Sequence, residues 1–160
     1  MYDTDSIIRA VKNAVNEYTG FGGSEMTLEL ALHLTEEVKK EAARLGVKAV
    51  VAVADAGGNI ISQQSMNGAF IASRDIAENK AFTSVALKMP TKDLSKLAAP
   101  GGSLYGIQNT NGGRIVIFGG GVPLVSGDGK LIGGLGVSGG TAEQDTALGD
   151  YGAKVFNKLF

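Results

Sequence analysis

Hydrophobic positions recur along this chain with two periods, and the changes of period mark its elements. Over residues 4–18, Ile7, Ile8, Val11, Val15 and Tyr18 return at three- and four-residue steps, with Arg9, Lys12, Asn13 and Asn16 opposite. That spacing predicts an amphipathic helix, with Asp5 or Ser6 as its cap. A glycine-rich linker follows over 21–26. A helix of about four turns on a flexible tether is an appendage, marginal on its own in water. The helical period resumes after Thr27, a capping residue with Glu29 in the first turn, and runs to about Leu45 before Gly46. Ala31, Leu34, Val38, Ala42 and Leu45 form its apolar stripe.

The period then changes. Val47–Ala54 is β-branched and apolar, 55–59 is a tight turn, and Ile60–Met66 returns as the hairpin partner. Phe70–Lys88 is helical again, ended before Pro90, with Ala72, Ile76, Ala77, Phe82 and Val85 on its core side. Thr91–Gly106 mixes short helix and loop and breaks at Pro100-Gly101-Gly102. Arg114–Phe118 predicts a strand, Gly119–Gly121 a kink, Val122–Val125 further extended chain, Ser126–Lys130 a hairpin turn and Leu131–Val137 the last strand. Thr141 caps a closing helix that runs to about Leu159. Hairpins dominate and only one crossover is long. The order predicts one α+β domain over 27–160, an antiparallel sheet of about five strands covered by helices.

Composition narrows the chemistry. The chain has 160 residues with a formal net charge of −1, which predicts no nucleic-acid or anionic membrane partner. Cysteine is absent, which removes disulfides, thiolate metal sites and cysteine nucleophiles. His33 is the single histidine, so no two-histidine zinc site exists. No apolar run approaches the ~20 residues of a membrane helix. MYDTDSIIRAV carries no secretory pattern, which predicts a cytoplasmic location.

Glycine is the outlier, with 24 residues. Gly134, Gly136 and Gly139 spell G-x-G-x-x-G, but a dinucleotide site needs a further βαβ strand carrying an acid, and the sequence stops at Phe160 after one helix. The alternative is that bare backbone lets a helix, a subunit or a flat ligand approach. Gly119, Gly120 and Gly121 invite the same reading. Ser138, at the start of the closing helix, is a candidate for holding a carboxylate or phosphate group.

VVAVADAGGNII, SMNGAF, IAENKAFTSVALK, IFGGGVPL and GVSGGTAEQD occur in this order. Together they resemble the GlcG/HbpS-like family, in the branch of the C-terminal domain of PduO-type cobalamin adenosyltransferases and their free-standing homologues. The resemblance covers about 26–160. It implies a profilin-like fold, symmetric homo-oligomers and haem binding in some members, with no established catalysis for this domain. Where the family often has R-M-D-G-A, this chain has Ser65, Met66, Asn67, Gly68 and Ala69. Lys80 and Asp145 match family positions, and Asp75 with Glu78 corresponds to a surface acidic pair linked to iron in some members.

Each candidate has a plain structural alternative. His33 lies off the apolar stripe of its helix; it meets solvent, lines a subunit interface, or ligates haem iron. Met66, Met89 and Tyr105 are the other axial candidates. Asp55 is an Asx-turn residue or a carboxylate at a pocket mouth. Lys80 is a snorkelling lysine or pairs with Asp55 or Glu78. Arg114 is a strand-end charge or a contact for a propionate. Asp75 and Glu78 are a solvated face or a surface cation site. The stripe of Ile7, Ile8, Val11, Val15 and Tyr18 resembles the encapsulation peptides of bacterial microcompartment cargo, so a shell protein is a candidate partner through residues 1–20, with the chain's own oligomer as the alternative. Three functions follow: an oligomeric haem- or tetrapyrrole-binding accessory protein, an enzyme with a small-molecule site near Asp55 and Gly119–Gly121, or an assembly module without a ligand.

Overall fold

In the computed structural model, which describes residues 3–19 and 23–160, the two hairpins join through their inner strands. Strands β1 (Val50–Asp55), β2 (Ile60–Ser65), β3 (Gly121–Val125) and β4 (Leu131–Ser138) form one antiparallel sheet in the order β2-β1-β4-β3. The helices are α1 (Thr4–Thr19), α2 (Leu28–Arg44), α3 (Ala72–Ala86), α4 (Thr91–Ala98) and α5 (Ala142–Leu159). The α+β class holds, with four strands rather than about five among the described residues.

Strand β1 is buried along Val50–Ala54, so its apolar residues divide between two cores. Val51 and Val53 face the larger one, where α2 and α5 bring Leu30, Leu34, Val38, Leu148 and Phe156. Val50, Ala52 and Ala54 face Ala77 and Ala81 of α3. The sheet is therefore the middle of three layers.

The late glycines belong to that second interface. A Cβ built on Gly136 would lie 1.9 Å from the Ala77 carbonyl oxygen, and one on Gly134 would lie 2.6 Å from that of Ala81. The neighbour for which β4 is cleared is helix α3 of the same chain, so no dinucleotide cradle and no flat guest occupies that face.

Local chemistry sets the ends. Thr27 accepts from the Leu30 amide at 3.2 Å, and α2 stops at Gly46 with φ +70°. Thr141 and Gln144 form a reciprocal capping box at α5. At α1 the cap is Asp3, which accepts from the Asp5 amide at 3.1 Å, rather than Asp5 or Ser6. Leu45, placed on the α2 stripe by its spacing, is exposed.

The strand expected at Arg114–Phe118 does not form. Ile115 and Val116 are buried, but the Val116 amide donates to the Thr83 hydroxyl of α3 at 3.0 Å instead of to a neighbouring strand. A side-chain acceptor has replaced the ladder. No helix among the described residues is long and apolar enough to cross a membrane.

Gly136→Ala should destabilise the fold by about 1–3 kcal/mol, because its Cβ meets backbone that cannot yield. Gly23→Ala, with nothing within 4 Å, should be close to neutral. Urea denaturation of both variants checks the contrast.

Candidate functional site

Lys80 stands on α3 among apolar neighbours with its side chain 0% exposed. An ammonium buried this deeply must be paired. Its Nζ donates at 2.8 Å to Asp145 Oδ2 on α5 and at 2.8 Å to the Val137 carbonyl of β4. The Phe118 ring stands over it at 5.0 Å to the centroid. Asp145 Oδ1 accepts from the Gly140 amide at 2.8 Å, so both carboxylate oxygens are engaged. Burial pushes the Lys80 ammonium below its ordinary value, against the charge and hydrogen bond of Asp145. Lys80 thus pairs with neither Asp55 nor Glu78, and as an enclosed, engaged group it has no face to offer a ligand.

The glycine triplet makes room for this pair. Gly120 has φ +116°, and a Cβ there would lie 2.8 Å from Lys80 Nζ and 2.5 Å from the Val137 oxygen. Cβ atoms on Gly119 and Gly121 would strike the Thr146 hydroxyl and the Lys80 carbonyl. All three glycines are buried against the protein itself, so the ligand site expected there is replaced by internal packing. Ser138 is corrected in the same way: it is buried and donates to the Ser73 hydroxyl at 3.1 Å. The chain caps α5 itself, through Thr141, Gln144 and Asp145.

Asp55 forms the Asx turn. Its Oδ1 accepts from the Gly57 amide at 2.8 Å and the Asn59 amide at 2.9 Å, with the Asn59 side chain on both oxygens. Burial opposes its charge, but the Asn59 and Gly57 donors outweigh that and hold the carboxyl below its ordinary value. It also borders a cleft of about 430 Å³ with Ser24, Met26, Lys130 and Ile132. An adjoining cleft of about 340 Å³ runs toward Ser126, Asp128 and Phe160. Asp55 pairs with Gly133, whereas Gly121 pairs with Gly136, so the two halves of the expected enzyme site are three residues apart along β4, about 10 Å. The filled space at the glycines separates them further.

Arg114 lies with its guanidinium carbon 3.7 Å from the Phe82 ring centroid and its Nε 3.4 Å from Asn79 Oδ1. It is half-buried packing rather than a loose strand-end charge. Asp75 accepts from Asn79 at 3.2 Å. No group of three or more His, Asp or Glu that could hold a metal occurs among the described residues, which leaves Asp75 and Glu78 as two carboxylates on a helix face.

His33 is half-buried on the outer side of α2 and lines none of the clefts described above. Glu37 follows one turn later, as i,i+4 neighbours do. Lys40 donates to Glu37 Oε1 at 2.6 Å; that bond, joined by the charges of Lys40 and His33 and opposed by burial, holds the Glu37 carboxyl below its ordinary value. Leu28 and Leu32 of the same helix are exposed. The other axial candidates stand apart from α2. Met66 Sδ accepts from the Ala49 amide at 3.4 Å, Met89 is half-buried, and Tyr105 is 67% exposed.

On α1, Ile7, Ile8, Val11 and Val15 are all exposed, between 49% and 57%. The side chain of Tyr18 and residues 20–22, the last two at the start of the linker, lie outside the described residues. Sequence reasoning missed Asp145 as the partner of Lys80 and Phe118 as its cover. The signal for the first was a lysine inside an apolar helical stretch, which calls for a buried acid somewhere in the chain.

The family model described as "Haem degrading protein HbpS-like" matches residues 26–154. The chain belongs to the HbpS-like family. Among its relatives, an uncharacterized 15.0 kDa protein of Citrobacter freundii is 44% identical over 134 residues, 84% of this chain and 94% of that protein. The corrinoid adenosyltransferase PduO of Salmonella typhimurium is 40% identical over 124 residues, 78% of this chain but only 37% of PduO. The crystal structure of a PduOC:haem complex superposes with a TM-score of 0.76 at 37% identity, over 81% of this chain and 94% of that one. The HbpS-like match begins at Met26, so α1 lies outside it.

Removing one member of the buried pair should be costly. Lys80→Met and Asp145→Leu should each lower unfolding free energy by about 3–5 kcal/mol, and the double variant should recover much of that loss. A thermodynamic cycle by urea denaturation measures it. At Asp55 the sign follows from a lowered folded value. Its contribution is present above its ordinary value near 3.8 and is lost as pH falls through the lower folded value. The stability difference between wild type and Asp55→Ala should therefore shrink as pH is taken below 3.8.

Proposed function

We propose that this chain is an oligomeric haem- or tetrapyrrole-binding accessory protein in which His33 is the iron ligand. The observation that carries the reading is the placement of its single imidazole, half-buried on α2 and outside both hydrophobic cores. The haem complex of the similar PduOC structure supports it. The donor set fits: a neutral imidazole ligates haem iron, and a carboxylate one turn away is a customary outer partner.

A helix face encloses nothing by itself. A macrocycle resting on α2 needs a second wall, which a second copy of the chain supplies, so haem binding and oligomer formation are coupled. Bound iron would supply a centre able to change oxidation state. The match spans 37% of PduO, and corrinoid adenosyl transfer is not part of this proposal.

The exposed stripe of α1 favours a further reading. An amphipathic helix on a short tether fits a groove on a partner, and a microcompartment shell protein is the partner proposed, with the protein as cargo inside the cytoplasm.

Titrating the purified protein with haemin should give a saturable Soret band. His33→Ala should change its shape and weaken binding about tenfold or more; an unchanged spectrum removes His33 as ligand. Deleting residues 1–20 should abolish co-purification with co-expressed shell proteins while leaving oligomer mass unchanged. Retained co-purification contradicts the targeting role.

A further inference from the structure

We infer that the Asn67–Gly68 step is a site of spontaneous modification, at which the Asn67 carboxamide is lost as ammonia and a carboxylate takes its place beside Lys48. The chain has two Asn-Gly pairs, Asn67-Gly68 and Asn111-Gly112. Glycine, with no side chain, leaves its amide nitrogen free to attack the side chain before it. The structure sets the two pairs apart. Asn67 and Gly68 are both exposed in the connection between β2 and α3, in a turn closed by the Ala69 amide donating to the Met66 carbonyl at 3.0 Å. The Asn67 carboxamide makes no hydrogen bond among the described residues. Gly68 has φ +81°, as at the third residue of a type II turn, where glycine lets the central peptide rotate. Asn111 has φ +51°. Left-handed backbone, with ψ about +47°, puts Cβ and the next amide nitrogen on opposite sides of the Cα–C bond. Asn111 Oδ1 also lies 3.0 Å from the Thr110 hydroxyl.

The chemistry needs only water. The Gly68 amide gives its proton to hydroxide, and its nitrogen attacks Asn67 Cγ. That bond closes a five-membered succinimide while the carboxamide C–N bond breaks, and ammonia leaves with a proton from water. Water then opens the ring at either carbonyl, which gives aspartate or, with the chain rerouted through the side chain, isoaspartate. Nothing is oxidised or reduced. A Cβ built on Gly68 would lie 3.2 Å from Lys48 Nζ, so this ammonium stands over the reacting step. It makes no ion pair among the described residues. A cation there favours the deprotonated amide nitrogen and then pairs with the new carboxylate. Lys48 and Gly68 also line a cleft of about 200 Å³ with Phe70 and Gln144, in which Lys48 is the charged lining residue among those described. The modification neutralises that charge.

Ageing the full chain in warm, mildly alkaline buffer and mapping its peptides by mass spectrometry tests this. Acid at residue 67 should accumulate several-fold faster than at residue 111, with both aspartate and isoaspartate present. Asn67→Gln, which cannot close the five-membered ring, should remove the product at that position. Lys48→Met, at an exposed residue, should slow the reaction at Asn67 about twofold or more. Equal rates at the two asparagines, or no acid at residue 67, would overturn the inference. An unchanged rate in Lys48→Met overturns the part given to Lys48.

Discussion

The fold turns on one buried ion pair. Lys80 of α3 and Asp145 of α5 approach the sheet from opposite layers and meet at 2.8 Å at the C-terminal end of β4. Neither charge would survive there alone. The pair is tolerable because its donors and acceptors are engaged: Val137 carbonyl, Gly140 amide and the Phe118 ring complete the set. The same requirement explains the chain's least ordinary composition. Gly120 has no side chain because the ammonium occupies that space, and Gly134 and Gly136 have none because α3 must lie against β4 for Lys80 to reach across.

This arrangement separates structure from function. Inside, Lys80 is engaged by Asp145 and Ser138 by Ser73, and at the surface Asp55 is engaged by its own turn while bordering a cleft.

Much of this was legible in the residue pattern. The periods of α2, α3 and α5, the Asx turn at Asp55 and the β3–β4 hairpin are local, and local rules place them. Arg114–Phe118 was misread because an apolar run can be buried against a helix as well as in a sheet, and only the position of Thr83 decides which. The glycines announced a close approach but not the approaching partner. Lys80 and Asp145 are 65 residues apart on opposite layers, so no spacing rule pairs them. His33 was visible as a single imidazole, yet its half-burial appears only once α2 has packed.

The central claim is that the interior glycines serve the chain's own packing and that haem belongs to the outer face of α2. Ferric haem broadens the NMR signals of nearby amides, so its position can be read residue by residue. The account predicts broadening centred on residues 29–37, with the amides of Gly119–Gly121, Gly134 and Gly136 retained. Loss centred on those glycines, with α2 untouched, would contradict it.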